Sequence, residues 1–156
     1  MRARLLTALT AAAAALTLGA AAPATAAPSG LPGGKPLQTA LEPGQEIAPF
    51  VGVAGASGSA TLRLNPGQER ICVDLRTEGL DPLALAHIHE GARGTNGPVV
   101  VDFTPLIEGH RAVGCVDVDR ALVRDIVRDP SGYYVNTHRG LPGGDAFSQG
   151  VRGQLG

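Results

Sequence analysis

The chain has 156 residues, with 13 basic and 14 acidic side chains and an aromatic content of only 3%. A formal charge of −1, spread along the sequence, gives none of the basic surface that nucleic acid or an anionic membrane would need, so neither is expected as a partner. With 22 glycines and 12 prolines set among short apolar runs, the composition favours an all-β domain punctuated by turns, its core built from Val, Leu, Ile and Ala.

The amino end reads as a leader. Arg2 and Arg4 precede an alanine-rich apolar run that closes on Pro23, and Ala24-Thr25-Ala26 supplies an A-x-A cleavage site. Residues 1–26 are therefore expected to be a signal peptide, removed after Ala26. No arginine pair marks a twin-arginine route and no cysteine at the cut offers a lipid anchor. No later apolar run is long enough to span a bilayer. A secreted protein without a membrane anchor follows, its formal charge moving from −1 to −3 as Arg2 and Arg4 are lost.

Residues 27–36 form a Gly/Pro/Ser linker without periodicity, and residues 37–156 are expected to make one domain. Residues 37–42 suit a short strand before the Pro43-Gly44 turn, while the Gly- and Ala-rich stretch 47–57 has no readable period. Residues 59–65 alternate, with Leu62 and Leu64 on one face and Thr61 and Arg63 on the other. After the turn Asn65-Pro66-Gly67-Gln68, residues 69–77 answer with Ile71, Val73 and Leu75 on one face, which predicts a hairpin.

A break at 78–82 leads to a strand over 83–90, and Asn96-Gly97-Pro98 turns into another over 99–104. Residues 112–119 make a further strand. Then the period changes: Leu122, Val123, Ile126 and Val127 share a helical face behind Asp119, a plausible N-cap, until Asp129-Pro130-Ser131-Gly132 ends the run. Strands over 133–138 and 150–155 complete an antiparallel Greek-key-like β-sandwich of about eight strands with one short helix.

The only two cysteines, Cys72 and Cys115, each lie mid-strand, on the face opposite their strand's main valines. In an exported chain an even pair reads as one disulfide stapling two strands side by side. A metal site at either would need further thiolates or a nearby imidazole, and neither has one.

Chemistry is suggested at one place, His87-Ile88-His89. In a strand the two imidazoles share a face, roughly 7 Å apart, while Ile88 points the other way. The following Gly91-Ala92-Arg93-Gly94-Thr95-Asn96-Gly97 lacks the Gly-Lys-[Ser/Thr] of a phosphate loop and leads into a strand, so it reads as a turn. If Val135 faces the core, His138 points with Tyr134 and Asn136 to the opposite side. His138 brought beside His87 and His89 would make a three-histidine set suited to Cu(II) or Zn(II). Glu90 alternates away from His89, and His110 sits in an ordinary turn. Asp102 and Asp145 are candidates to hold an imidazole tautomer, as is Asn136 to support the set. Arg152 is expected to pin the last strand by pairing an acid such as Asp102 or Asp145. The competing reading is a structural hydrogen-bond cluster in which His87 or His89 caps backbone groups of the 91–97 loop and His138 bridges to it. No Ser/His/Asp or Cys/His set of a hydrolase is visible.

Three ordered blocks carry a family resemblance. They are Ala86-His87-Ile88-His89-Glu90-Gly91 with Asn96-Gly97-Pro98-Val99-Val100, then Tyr134-Val135-Asn136-Thr137-His138, then Arg152-Gly153-Gln154-Leu155. Together with the opening hairpin they resemble the CHRD domain, named after repeats in chordin and widespread in exported bacterial proteins. The family tends to place a Pro-x-Gly-Glu-Ile directly before Arg-Gly-Gln-Leu. Here Pro142-Gly143-Gly144-Asp145 stands apart from that block, which puts in doubt whether Asp145 does what the family's Glu does. The sandwich and its His-x-His strand are also similar to copper/zinc superoxide dismutases, an analogy of fold and spacing. The resemblance implies no general reaction. It leaves a non-catalytic binding or structural module with an unknown extracellular partner as the leading expectation. The alternative is a copper-binding protein using His87, His89 and His138, with weak dismutase-like redox chemistry as its furthest extension.

Overall fold

In the computed structural model, residues 33–140 and 148–156 are described. The expected leader, most of the expected linker, and Asp145 lie outside the described residues. The strands are β1 (Lys35–Leu41), β2 (Val51–Gly52), β3 (Ser57–Asn65), β4 (Arg70–Glu78), β5 (Leu83–Glu90) and β6 (Val99–Asp102). They continue with β7 (Ile107–Glu108), β8 (Arg111–Asp117), β9 (Tyr133–Arg139) and β10 (Gln149–Gln154), and the one α-helix among the described residues, α1, is Arg120–Arg128. Of these, β2 and β7 have only two residues each, which leaves the eight longer strands that the sequence pattern predicts. β1 starts at Lys35, so the expected linker gives its last two residues to the sheet.

Two five-stranded sheets stack face to face, in the orders β1-β3-β4-β8-β7 and β2-β10-β9-β5-β6. All pairings are antiparallel except β2 with β10, which is parallel. The predicted hairpin forms with Leu62 opposite Val73 and Leu64 opposite Ile71, so each sheet-facing pair is apolar on both strands. These side chains, with Ala60, Leu75, Ala86, Ile88, Val101, Phe103, Val135 and Val151, fill the space between the sheets. A core of small aliphatics reaches close packing here because the facing strands are regular and the inward positions alternate without interruption.

Cys72 and Cys115 occupy directly opposite positions on β4 and β8 and form a disulfide. Cys72 is buried on the outer face of the first sheet while its neighbours Ile71 and Val73 point into the core. The helix is entered through Asp119, whose carboxylate accepts from the backbone N–H of Ala121 at 2.8 Å and Leu122 at 3.4 Å. Its buried face is Val123 and Ile126, with Leu122 and Val127 at the margin of the core. Among the described residues no helix is long and apolar enough to cross a membrane.

The second sheet departs from the simple pattern on its outer face. Along β9 every residue from Tyr133 to His138 is buried, although Tyr134, Asn136 and His138 point away from the core. A side chain turned out of a sandwich is buried only if something covers it. Residues 42–53 and the 91–98 loop form that cover. Glu42 N–H and C=O bond the Arg152 backbone, and Val53 N–H bonds Gly150 O at 3.1 Å. The two covering segments are joined by Asn96, whose amide donates to Ile47 O at 3.2 Å and Ala48 O at 3.0 Å.

Candidate metal centre

His87 and His89 project from β5 onto this covered outer face, as strand alternation requires. β9 lies beside β5 with Asn136 opposite His87 and Tyr134 opposite His89, and His138 opposite Leu85. That register places His138 diagonally across from His87. The ring centroids of His87 lie 5.6 Å from His89 and 6.4 Å from His138. One nitrogen from each of His87, His89 and His138 falls within 4.8 Å of the other two. An ion with bonds of about 2.0–2.1 Å to imidazole spans at most about 4.2 Å between two ligands, so small side-chain rotations close the set.

Which nitrogen each ring presents is fixed by its other contacts. His89 Nδ1 lies 2.9 Å from Gly97 O, an acceptor only, so Nδ1 carries the proton and Nε2 keeps its lone pair. His87 Nε2 faces Thr104 Oγ1 at 3.3 Å and Asp102 at 3.4 Å, which leaves Nδ1 for the cluster. The three buried imidazole nitrogens without a hydrogen-bond partner are His87 Nδ1, His89 Nε2 and His138 Nδ1. A buried polar atom with no partner costs on the order of 1–3 kcal/mol, and here each ring of one histidine cluster carries such an atom.

Burial also decides protonation. It pushes His138 down from 6.5 to about 4, helped by the nearby His87 and His89. Burial lowers His87 against the pull of Asp102, and lowers His89 with the Arg152 cation acting in the same direction. At neutral pH all three rings are therefore unprotonated, the state in which imidazole binds a metal. At Asp102 burial acts upward, but hydrogen bonds from Thr104 and the proximity of His87 outweigh it and keep the carboxyl low.

The cover is built around two glycines. A Cβ on Gly97 would overlap the Glu90 carbonyl, and the absence of a side chain lets the loop fold back until its carbonyl meets His89. A Cβ on Gly150 would likewise overlap the Thr137 carbonyl. A bulge between Ile88 and His89 shifts the pairing of β5 with β6 at the point where the second histidine leaves the strand.

Arg152 is 1% exposed and does not meet Asp102, as the sequence led one to expect. Asp102 lies by His87 instead, its carboxylate 3.4 Å from Nε2. Arg152 donates to Thr95 O at 2.8 Å, Ala92 O at 3.2 Å and Gln154 Oε1 at 3.3 Å, and its guanidinium carbon stands 3.4 Å from the Tyr134 ring centroid. β10 lies on the opposite side of β9 from β5, so Arg152 and His89 reach Tyr134 from different strands, His89 stacking at 4.8 Å with an 8° tilt. Arg152 thus pins a loop and a ring, with the Glu46 carboxyl the acid that feels its charge. Carbonyls serve as well as a carboxylate for a buried guanidinium whose charge the ring face also stabilises.

Several contributors carry no sequence signal. Phe50 packs on His138 at 5.6 Å between ring centroids, and Glu46 sits over Asn136, Arg152 and Gly150. Both come from the Gly/Ala-rich region and its approach, where no period marks a strand. Glu90 is exposed and His110 lies in an exposed turn, as their positions implied.

The fold and the covered histidine face define an all-β sandwich with three clustered imidazoles on the outer side of its second sheet. The family model of the CHRD domain matches residues 37–155, and the chain belongs to that family. No curated protein and no solved structure matches it. The likeness to copper/zinc superoxide dismutases therefore rests on the sandwich and the His-x-His spacing alone.

Proposed function

We propose that this is an exported, non-catalytic CHRD-domain binding module whose ligand is a divalent metal ion held by His87, His89 and His138. One observation carries the reading: three neutral imidazoles, each with a buried nitrogen that has no partner, bring one nitrogen apiece to within 4.8 Å of the other two. Three nitrogen ligands without thiolate suit Cu(II) and Zn(II), and Cu(II) is the stronger binder of the two. Asp102 and the Gly97 carbonyl act as outer partners that hold two of the rings, the arrangement that metal-binding histidines ordinarily require. The disulfide and the family fit an extracellular setting. Cleavage after Ala26 is the step that would deliver the domain there.

The bond from His89 to Gly97 also favours a loop-bracing role for that ring. That role uses Nδ1 and leaves Nε2 over. Metal analysis and copper titration of protein from the exported fraction, purified without a histidine tag, separate the readings. About one copper per chain at submicromolar affinity, lost in His89→Ala and in His138→Ala while circular dichroism stays unchanged, is the expected result. No bound metal in the wild type would leave the histidines as braces and overturn the proposal.

A further inference from the structure

Three imidazoles fill only part of a metal's coordination sphere, and the same face of the second sheet buries three more lone-pair atoms without a partner. They are both carboxylate oxygens of Glu46 and Oδ1 of Asn136. Asn136 is 2% exposed and stands directly opposite His87, two residues before His138 on the same face. Glu46 arrives from the cover. Its Oε1 lies 3.0 Å from the point a Cβ on Gly150 would occupy, and Gly150 is paired directly with His138. Residues directly opposite in a sheet share a face, so the carboxylate and the His138 side chain stand on the same side of β10 and β9. Glu46 is not among the groups whose atoms cluster at the metal position. A molecule bound to the ion could reach it.

The chemistry of the set is one-sided. Imidazole lone pairs, a carboxylate and an amide oxygen are acceptors; the one donor within the set, the Asn136 amide N–H, faces Glu46, and the Arg152 guanidinium spends its terminal nitrogens on Thr95, Ala92 and Gln154. The remaining buried atom without a partner, Arg139 Nε, is a donor at the end of β9. Buried acceptors gathered around an ion position call for something that carries both a lone pair for the metal and protons for the oxygens. Water bound to a divalent ion is such a molecule: its oxygen bonds the metal, and its two acidified O–H groups need acceptors.

Resting on the reading of the three histidines as metal ligands, we propose that the ion's open position holds an exchangeable water or small anion, and that Glu46 and Asn136 receive the water's hydrogen bonds. Three protein ligands with a water is the open form of a metal site, in contrast to a closed structural one. Phe50 over His138 and the 91–98 loop beside His89 restrict the position to ligands of a few atoms. The class is water, hydroxide and small linear anions, with azide as the probe.

The test uses copper-loaded protein at pH 8, where the Glu46 carboxyl is ionised. Electron paramagnetic resonance in ¹⁷O-enriched water should show broadened copper hyperfine lines, and azide should remove the broadening and shift the spectrum. Glu46→Gln removes a negative charge facing the open position, so azide should bind about tenfold more tightly when each protein is loaded to one copper per chain. A wild-type spectrum indifferent to both ¹⁷O-water and azide would overturn the proposal while leaving copper on the three histidines. Equal azide affinity in wild type and Glu46→Gln would also overturn it, and would leave Glu46 as a partner of the Asn136 amide alone. Failure of the wild type to take up copper would overturn the proposed function beneath it.

Discussion

Two buried groups on the covered face should make the stability of the metal-free protein depend on pH in opposite directions. Burial lowers His138 from 6.5 to about 4. Between those values the unfolded chain binds a proton that the native state does not, so this stability is present above pH 6.5 and lost as pH falls toward 4. Burial raises Glu46 from 4.5 to about 7, against the pull of Arg152 and Asn136. Between those values the native state holds the extra proton, so this contribution is present below pH 4.5 and lost as pH rises through 7. Each shift corresponds to about 3 kcal/mol at 1.36 kcal/mol per unit, and over much of pH 4.5–6.5 the two offset one another. His87 and His89 are lowered as well and tip the balance toward loss in acid. Urea unfolding of chelator-treated protein from pH 4.5 to 7.5 should give a shallow decline toward acid in the wild type. In Glu46→Gln the counterweight is gone, and the decline should steepen by about 3 kcal/mol across the range. In His138→Gln the slope should flatten or reverse. Identical slopes in wild type and Glu46→Gln would refute the assignment of Glu46 as a buried carboxyl that the fold holds protonated near neutrality.

Replacing Arg152 by Lys keeps a charge but loses the fork that reaches Thr95 O and Ala92 O. Stability should fall by about 2–4 kcal/mol and copper affinity by about 10–100-fold through the loosened loop, read by urea unfolding and copper titration. Unchanged copper affinity in a folded Arg152→Lys protein would separate the loop from the site. Gly97→Ala forces a Cβ onto the Glu90 carbonyl, so the loop must move. Nitrogen-15 spectra of His89 should then lose the signature of a protonated Nδ1, with a stability cost of about 3 kcal/mol or more. The Cys72–Cys115 bridge closes 43 residues of sequence. Replacing both cysteines by alanine should cost roughly 4 kcal/mol on the chain-entropy estimate, and free thiols in alkylated, exported protein would contradict the bridge itself.

Much of the scaffold is legible from local pattern. The Leu62/Leu64 and Ile71/Val73 alternation fixes which faces of β3 and β4 meet the core, and Asp119 followed by a 3.6-residue period fixes where the helix begins. Both are short-range facts, because side-chain direction in a strand or helix follows from backbone geometry alone. For the same reason His87 and His89 could be assigned a common face, and His138 one shared with Asn136. Nothing local pairs β5 with β9, so the approach of His138 to His87 came only with the sheet order.

The backbone partners of Arg152 were hidden for a similar reason. A buried guanidinium suggests an acid by charge, but the 91–97 loop folds back over the sheet and offers carbonyls first. Glu46 and Phe50 were invisible because the segment that carries them has no period. It is held by Arg152, Gly150 and Asn96, residues about fifty to a hundred positions away in the chain. Sequence by itself determined the all-β class, the cysteine pair, the helix and the faces on which the histidines stand, since each rests on neighbours in the chain. Tertiary structure alone decided that the outer face is covered, that three imidazoles cluster there, each with a buried nitrogen lacking a partner, and that the Glu46 carboxyl is buried on the same face. Burial and convergence are properties of strand order and loop closure, and those are set by contacts far apart in sequence.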